Sequence, residues 1–362
     1  VSRLILSRSF FPANYFAKTG EHIASVQLSS GAVPWYEGGI LDPWDHIESA
    51  MGLAAAGYTD RARRAYDWCA RNQLPDGGFW PTYADSTPLD CTRKETHHSA
   101  YLATGLWHYY LVSGDRRFLG RMWPAVRLGL NFACGLQTRQ GEISWARLPC
   151  GGAYPDALVT GCSSIYKSLE CGLNIAAVLD EPGRDWAEAR HRLGRAIRDR
   201  GHRFDRTWPA KERYAMDWFY PVLSGVFSGD RARRRLMRLW SVFVEPGRGC
   251  RCVREEPWIT VAESCELVLS LLCVGASSRA CRIFNWLQQH RCAGGYWTGY
   301  QRELNLYWPR ERSTWTAAAV LLAADALFRA TPAAGIFTDS PLAEPEQKAS
   351  VRDGCGAAGP VR

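Results

Sequence analysis

One recurrence constrains this chain more than any other feature. Gln27 is followed by Gly31 and Trp35, Gln73 by Gly77 and Trp80, Gln137 by Gly141 and Trp145, and Gln288, with wider spacing, by Gly294 and Trp297. A segment that keeps ending in Gln, turning on Gly and closing on an aromatic is an internal repeat, and such units bury their apolar faces by stacking on one another.

The physics of one unit is readable. Between Ala62 and Ala70, Ala62, Ala65, Tyr66, Cys69 and Ala70 recur at helical spacing while Arg63, Arg64 and Asp67 fall on the other side. That pattern gives a helix with one buried stripe and one wet face. Pro75, Asp76, Gly77 and Gly78 then stop it, by removing a backbone donor and supplying residues that tolerate positive φ. The next helix, Glu95 to Val112, is apolar or small on nearly every side, as a helix enclosed by others must be. The same alternation predicts outer segments near 15–28, 59–73, 116–136, 183–201, 230–244 and 276–290. Inner segments are predicted near 45–57, 96–113, 163–180, 215–227, 258–274 and 312–329. Twelve alternating helices predict an all-α fold, six hairpins closed into an (α/α)6 toroid, with no competing strand pattern of comparable length.

No linker interrupts the alternation, so residues 1–337 are expected to form a single toroid domain. The Pro-, Glu-, Gly- and Ala-rich stretch 338–362 has little to bury and is expected to be a disordered tail. Residues 1–10 lack the apolar core of a secretory leader, and no run reaches the ~20 apolar residues of a membrane span. The 13 cysteines are odd in number and scattered through the helices, with no CxxC pair. They fit small buried hydrophobes in a reducing compartment better than a disulfide framework, and a cytoplasmic location is expected. The net charge of +8 is carried almost entirely by arginine on outer helices. This reads as a solvated outer face, with no nucleic-acid partner.

In a ring of hairpins, every connection from an outer to an inner helix emerges at the same end, and these connections hold the acids and aromatics. The opposite turns, such as Ala56–Asp60 and Ser113–Asp115, carry little beyond helix caps. One end is therefore structural and the other an aromatic-lined cup with carboxylates. Such a cup suits a carbohydrate, whose C–H faces stack on indole, or an isoprenoid, whose cations are stabilised by π faces. Asp45 and Glu48 lie three apart in a first turn, on one face. Asp217, within an aromatic run, is placed for a raised pKa. Glu311, between Arg310 and Arg312, should stay ionised. Glu263 and Glu266 sit in an apolar helix and must line the cavity or pair with arginines such as Arg251 or Arg254. His97 and His98 are adjacent and so point about 100° apart on a helix; with no further ligand at a suitable spacing, neither a metal nor another cofactor is expected.

The stretches Asp90 to Tyr101, Gly105 to Leu119 and Met122 to Val126, with Glu311 ahead of Ser313-Thr-Trp-Thr-Ala-Ala, resemble six-hairpin glycosidases of the glucoamylase-like and trehalase-like kind. The Gln, Gly and Trp repeats also resemble those of squalene cyclases and, more loosely, protein prenyltransferase β subunits. The Asp-x-Asp-Asp acid motif of the cyclases and a clear Asp/Cys/His zinc set are both missing, and Cys250 and Cys252 do not replace the latter.

The resemblance implies an inverting glycosidase acting on a glycan or glycoconjugate, in which Asp217 protonates the leaving oxygen, Glu311 activates water and Glu95 is an alternative acid. Asp45, Glu48, Glu95 and Glu263 would hold hydroxyls, and Trp44, Trp80, Trp258, Trp297 and Tyr300 would stack on sugar rings. His46, Tyr83, His97, Tyr220 and Trp308 complete the expected substrate-binding set. The alternatives are an isoprenoid-handling toroid with a prenyl ligand and a non-catalytic glycan- or partner-binding toroid.

Overall fold

The computed structural model describes residues 11–12 and 14–339. Six helices form the outer layer: α1 (Ala17–Val26), α3 (Thr59–Asn72), α5 (Arg116–Cys134), α7 (Arg184–Asp199), α9 (Gly229–Arg238), followed at once by the one-turn α10 (Trp240–Phe243), and α12 (Ser277–Leu287). Alternating with them are the inner helices α2 (Pro43–Ala55), α4 (Thr96–Ser113), α6 (Val159–Leu179), α8 (Ala215–Leu223), α11 (Val261–Cys273) and α13 (Thr314–Phe328). The inner helices touch in the order α2, α4, α6, α8, α11, α13, and α13 returns to pack on α2. The ring is closed.

Local chemistry sets the helix starts. Asp42 caps α2 by accepting from Asp45 N at 3.0 Å, with Pro43 following, Asp115 caps α5 through Phe118 N, and Ser313 caps α13 through Thr316 N. Each side-chain cap satisfies a backbone donor that the helix leaves open, for about 1 kcal/mol. Outer helices such as α3 and α7 bury one stripe, whereas α4 and α13 are buried around most of their circumference.

The repeated Gln fastens neighbouring outer helices. Gln27 Nε2 donates to Gly31 O and to Arg61 O on α3; Gln73 Nε2 donates to Gly77 O and to Ala125 O on α5; Gln137 Nε2 donates to Gly141 O and to Ala189 O on α7. The glycine of each turn has positive φ and lies against the same neighbouring helix, so that a Cβ on Gly77 would stand 2.2 Å from Leu128 O. The fourth copy is different: Gln288 Nε2 turns back to Phe284 O and its Oε1 accepts from the Tyr296 hydroxyl.

Helices alone do not account for the cup end. A five-stranded antiparallel sheet lies there, built from β1 (Val244–Glu245), β2 (Gly249–Arg251), β3 (Trp258–Thr260), β4 (Gly299–Gln301) and β5 (Leu306–Tyr307) in the order β5-β4-β3-β2-β1. Strands of two or three residues are too short for alternation to register in a sequence. β3 runs directly into α11. Of the expected tail, residues 340–362 lie outside the described residues. Among the described residues no helix is long and apolar enough to cross a membrane.

Candidate active site

Every inner helix begins at the cup end, which aims the positive ends of their dipoles at one axis. Onto that axis α2 and α11 each project an i,i+3 pair of acids. Asp45 and Glu263 stand in the first turns, and Glu48 and Glu266 stand three residues further along, about 4.5 Å deeper at 1.5 Å rise per residue. α2 and α11 flank α13 from opposite sides, so the carboxyls approach from different walls. Asp45 retains partial exposure, while Glu48 and Glu266 are sealed beneath.

Burial and mutual repulsion raise three of these four acids. Burial, with the charges of Asp42, Glu48 and Glu263 beside it, holds the Asp45 carboxyl well above the usual range. Burial pushes Glu48 up to about 7 against the opposing hydrogen bonds from Trp44 Nε1 at 3.1 Å and the Tyr101 hydroxyl at 3.4 Å. Burial, then Glu48, Glu263 and Asp45, push Glu266 well up. Carboxyls packed this closely cannot all ionise. Glu263 takes a hydrogen bond from the Cys252 thiol and leaves Oε2 buried without a protein partner. Arg251, considered above as a partner for these acids, pairs with Glu245 instead.

Aromatic and imidazole side chains wall the acids on one side. The Trp44 ring stacks on Tyr101 at 4.7 Å and meets His97 at 5.3 Å and Tyr220 at 5.7 Å. Beside them Glu95 receives Arg93 on Oε1 at 2.8 Å and the Trp145 indole on Oε2 at 3.1 Å. Burial works against ionisation of Glu95, but His98, His97 and Arg93 together hold its carboxyl below the ordinary value. Burial and His98 lower His97 to about 3. Glu95, His97 and His98 bring one ligand atom each within 4.8 Å of one another, close enough to offer a divalent cation three ligands. Glu95 belongs to the extended chain before α4 and sets its Oε2 3.4 Å from His97 Nε2 and 3.8 Å from His98 Nε2, which the divergence of adjacent helical histidines does not reveal.

The structure brings Trp44, Asp45, Glu48, Glu95, His97, Tyr220 and Glu263 to this site. Asp217 and Glu311 stand among other neighbours. Asp217 lies at the start of α8 with its Oδ1 buried and unpartnered, and burial, then Asp205 and Glu212, raise it to about 7 against the pull of Arg235. Glu311, which burial also raises, lines a cavity of about 770 Å³ with Lys18, His22, Tyr36 and Arg310, outside the acid cluster. His46 is a core residue on the α3 side of α2: Val33 N donates to its Nδ1 and its Nε2 meets Ala65 O at 3.0 Å. Tyr83 is buried against Trp68, its hydroxyl accepting from Trp80 N, and Trp80 packs under Lys94. Tyr300 and Trp297 gather with Tyr307 on the far side of the sheet from Trp258.

Tyr101 and Cys252 reach the acids although their residue types gave no indication of it. A usable signal was present in the shared spacing, Asp45 with Glu48 and Glu263 with Glu266, each pair opening an inner helix.

Rings of this kind are known. A wild-type glycosidase of solved structure superposes with a TM-score of 0.67 at 14% identity, covering 91% of this chain and 100% of its own. A GH63 mannosylglycerate hydrolase from Thermus thermophilus in complex with glucose gives 0.67 at 13% identity, covering 86% and 98%. The ring is thus the six-hairpin glycosidase fold. No family model matches the sequence. Over 321 residues, 88% of each chain, it is 47% identical to the MMP endo-(1,4)-3-O-methyl-alpha-D-mannosidase of Mycolicibacterium hassiacum. The chain belongs to the family of that mannosidase and is a glycoside hydrolase. The resemblance to prenyltransferases finds no support among these relatives.

Proposed function

We propose that this enzyme cleaves internal 1,4 linkages between 3-O-methyl-α-D-mannosyl residues with inversion of configuration, using Asp45 as general acid and Glu263 as general base. The observation that carries the assignment of residues is the pairing of Asp45 and Glu263 in the upper tier of one acid cluster, on helices that flank α13 from opposite sides. The substrate comes from the 47%-identical relative.

Each group has a defined task. Asp45, whose carboxyl burial and the surrounding acids hold well above the usual range, transfers its proton to the glycosidic oxygen as the C–O bond breaks. Glu263 Oε2, which has no protein partner, takes a proton from the water that attacks the anomeric carbon from the other face. Inversion requires room for that water, a carboxyl separation of about 6.5–9.5 Å, and supports from opposite flanks of a helix suit it. Trp44 offers its ring to a sugar face, and Glu95 and His97 offer hydrogen bonds to its hydroxyls.

The test is hydrolysis of a 1,4-linked 3-O-methyl-α-mannan oligosaccharide followed by proton NMR. The β anomer of a shorter oligosaccharide should appear first and equilibrate later. Initial release of the α anomer would remove the inverting mechanism, and release of monosaccharide alone would remove the internal cleavage.

A further inference from the structure

The sheet at the cup carries a feature that the hydrolytic site does not use. Across an antiparallel pair, opposed residues place their side chains on the same face. Thr260 opposes Cys250 and Gly299, and Gln301 opposes both Trp258 and Leu306. Cys252 N bonds Trp258 O and Trp308 N bonds Gly299 O, which continues the same register at both ends. One face therefore carries Cys252, Trp258, Gly299, Gln301, Leu306 and Trp308. Ile259, Tyr300 and Tyr307 belong to the other face, where Ile259 and Tyr300 are buried.

The first face begins at the catalytic cluster and ends in solvent. Cys252 hydrogen-bonds Glu263, and Trp258 is its cross-strand neighbour. The Trp258 indole covers Gly299, where a Cβ would stand 2.3 Å from its Nε1, and donates to Trp308 O at 2.7 Å. The Trp308 ring follows at 5.5 Å, 57% exposed, with Leu306 39% exposed beside it. Exposed aromatic area fixed on a rigid sheet and continuous with a site is a binding surface. Gln301, whose Oε1 accepts from Leu304 N at 2.8 Å, offers its amide N–H groups to a hydroxylated ring, which a lipid chain does not need.

We propose that Trp258 and Trp308 form an aromatic track that holds the glycan beyond the cleaved bond, with Trp308 as an outer sugar subsite. The proposal rests on the internal cleavage put forward above. It makes affinity depend on chain length through a residue remote from the chemistry.

Calorimetric binding to the Glu263→Gln enzyme, in which turnover should be slowed about 10²–10⁴-fold, tests it with 1,4-linked 3-O-methyl-α-mannan oligosaccharides of two and of six or more residues. The longer ligand should bind more tightly. Adding Trp308→Ala should erase about tenfold of that gain, and Trp308→Phe should restore most of it. Thermal melting will confirm that exposed Trp308 is not needed for folding. An unchanged length dependence in Trp308→Ala, with or without a change in oligomeric state, overturns the track and leaves the functional reading intact. Failure of the parent Glu263→Gln enzyme to bind either ligand overturns both.

Discussion

Trp44 Nε1 donates to Glu48 Oε2 at 3.1 Å, so the indole that walls the acid cluster is held by the acid one turn below it. Glu48 is raised from 4.5 to about 7, so the folded state keeps a proton that the unfolded chain has released. Its contribution to stability is complete below about pH 4.5 and is lost as pH rises through about 7.

Glu48→Gln supplies a permanently neutral side chain with an oxygen still able to accept from Trp44. Relative to the parent, this variant should gain stability as pH rises from 5 to 8, on the order of 2 kcal/mol at pH 8. The comparison must be made as a difference, because His46, His97, His108 and His290 are all lowered by burial and destabilise the parent on acidification. Melting curves of both proteins across this range check it; a variant less stable than the parent at pH 8 would contradict the assignment.

Asp45 is raised by burial and by the charges of Asp42, Glu48 and Glu263, so its protonated form, the proposed general acid, is present below its raised pKa and disappears as pH climbs through it. The turnover number should therefore fall on the alkaline side. Asp45→Asn should lose about 10²–10⁴-fold on the natural glycan, yet retain much more activity on an aryl glycoside whose leaving group needs no proton. Equal losses on both substrates would assign Asp45 a different role.

The repeat makes a stability prediction. Gly77→Ala introduces a side chain at φ 89° with its Cβ 2.2 Å from the Leu128 carbonyl, and it should cost about 2–4 kcal/mol. Gly38→Ala, at φ 73° with open space around it, should cost only about 1–2 kcal/mol. Chemical denaturation of the two variants gives the comparison.

Much of the architecture was legible because long helices carry their period openly. Outer segments such as 59–73 and inner ones such as 96–113 lie within a residue of α3 and α4. The sheet was not legible, since its strands are too short to show alternation and their pairing joins residues as distant as Ile259 and Tyr300. The site was legible in part. Asp45, Glu48 and Glu263 are recognisable as acids at the mouths of inner helices, but only the closing of the ring puts α2 and α11 on either side of α13. Asp217 does have the raised pKa expected of it, through burial first, and a raised pKa by itself assigns it no role. His46 shows the opposite case: it stands next to Asp45 in sequence, yet the helix turns it to the α3 side and into the core.

The most direct measurement is turnover of a 1,4-linked 3-O-methyl-α-mannan oligosaccharide by four purified variants with matched melting temperatures: Asp45→Asn, Glu263→Gln, Asp217→Asn and Glu311→Gln. The first two should each lose about 10²–10⁴-fold in turnover number, while the last two keep activity within about tenfold of the parent. Loss of turnover in Asp217→Asn and Glu311→Gln, with Asp45→Asn and Glu263→Gln still active, would move the chemistry away from the axial acid cluster and contradict this account.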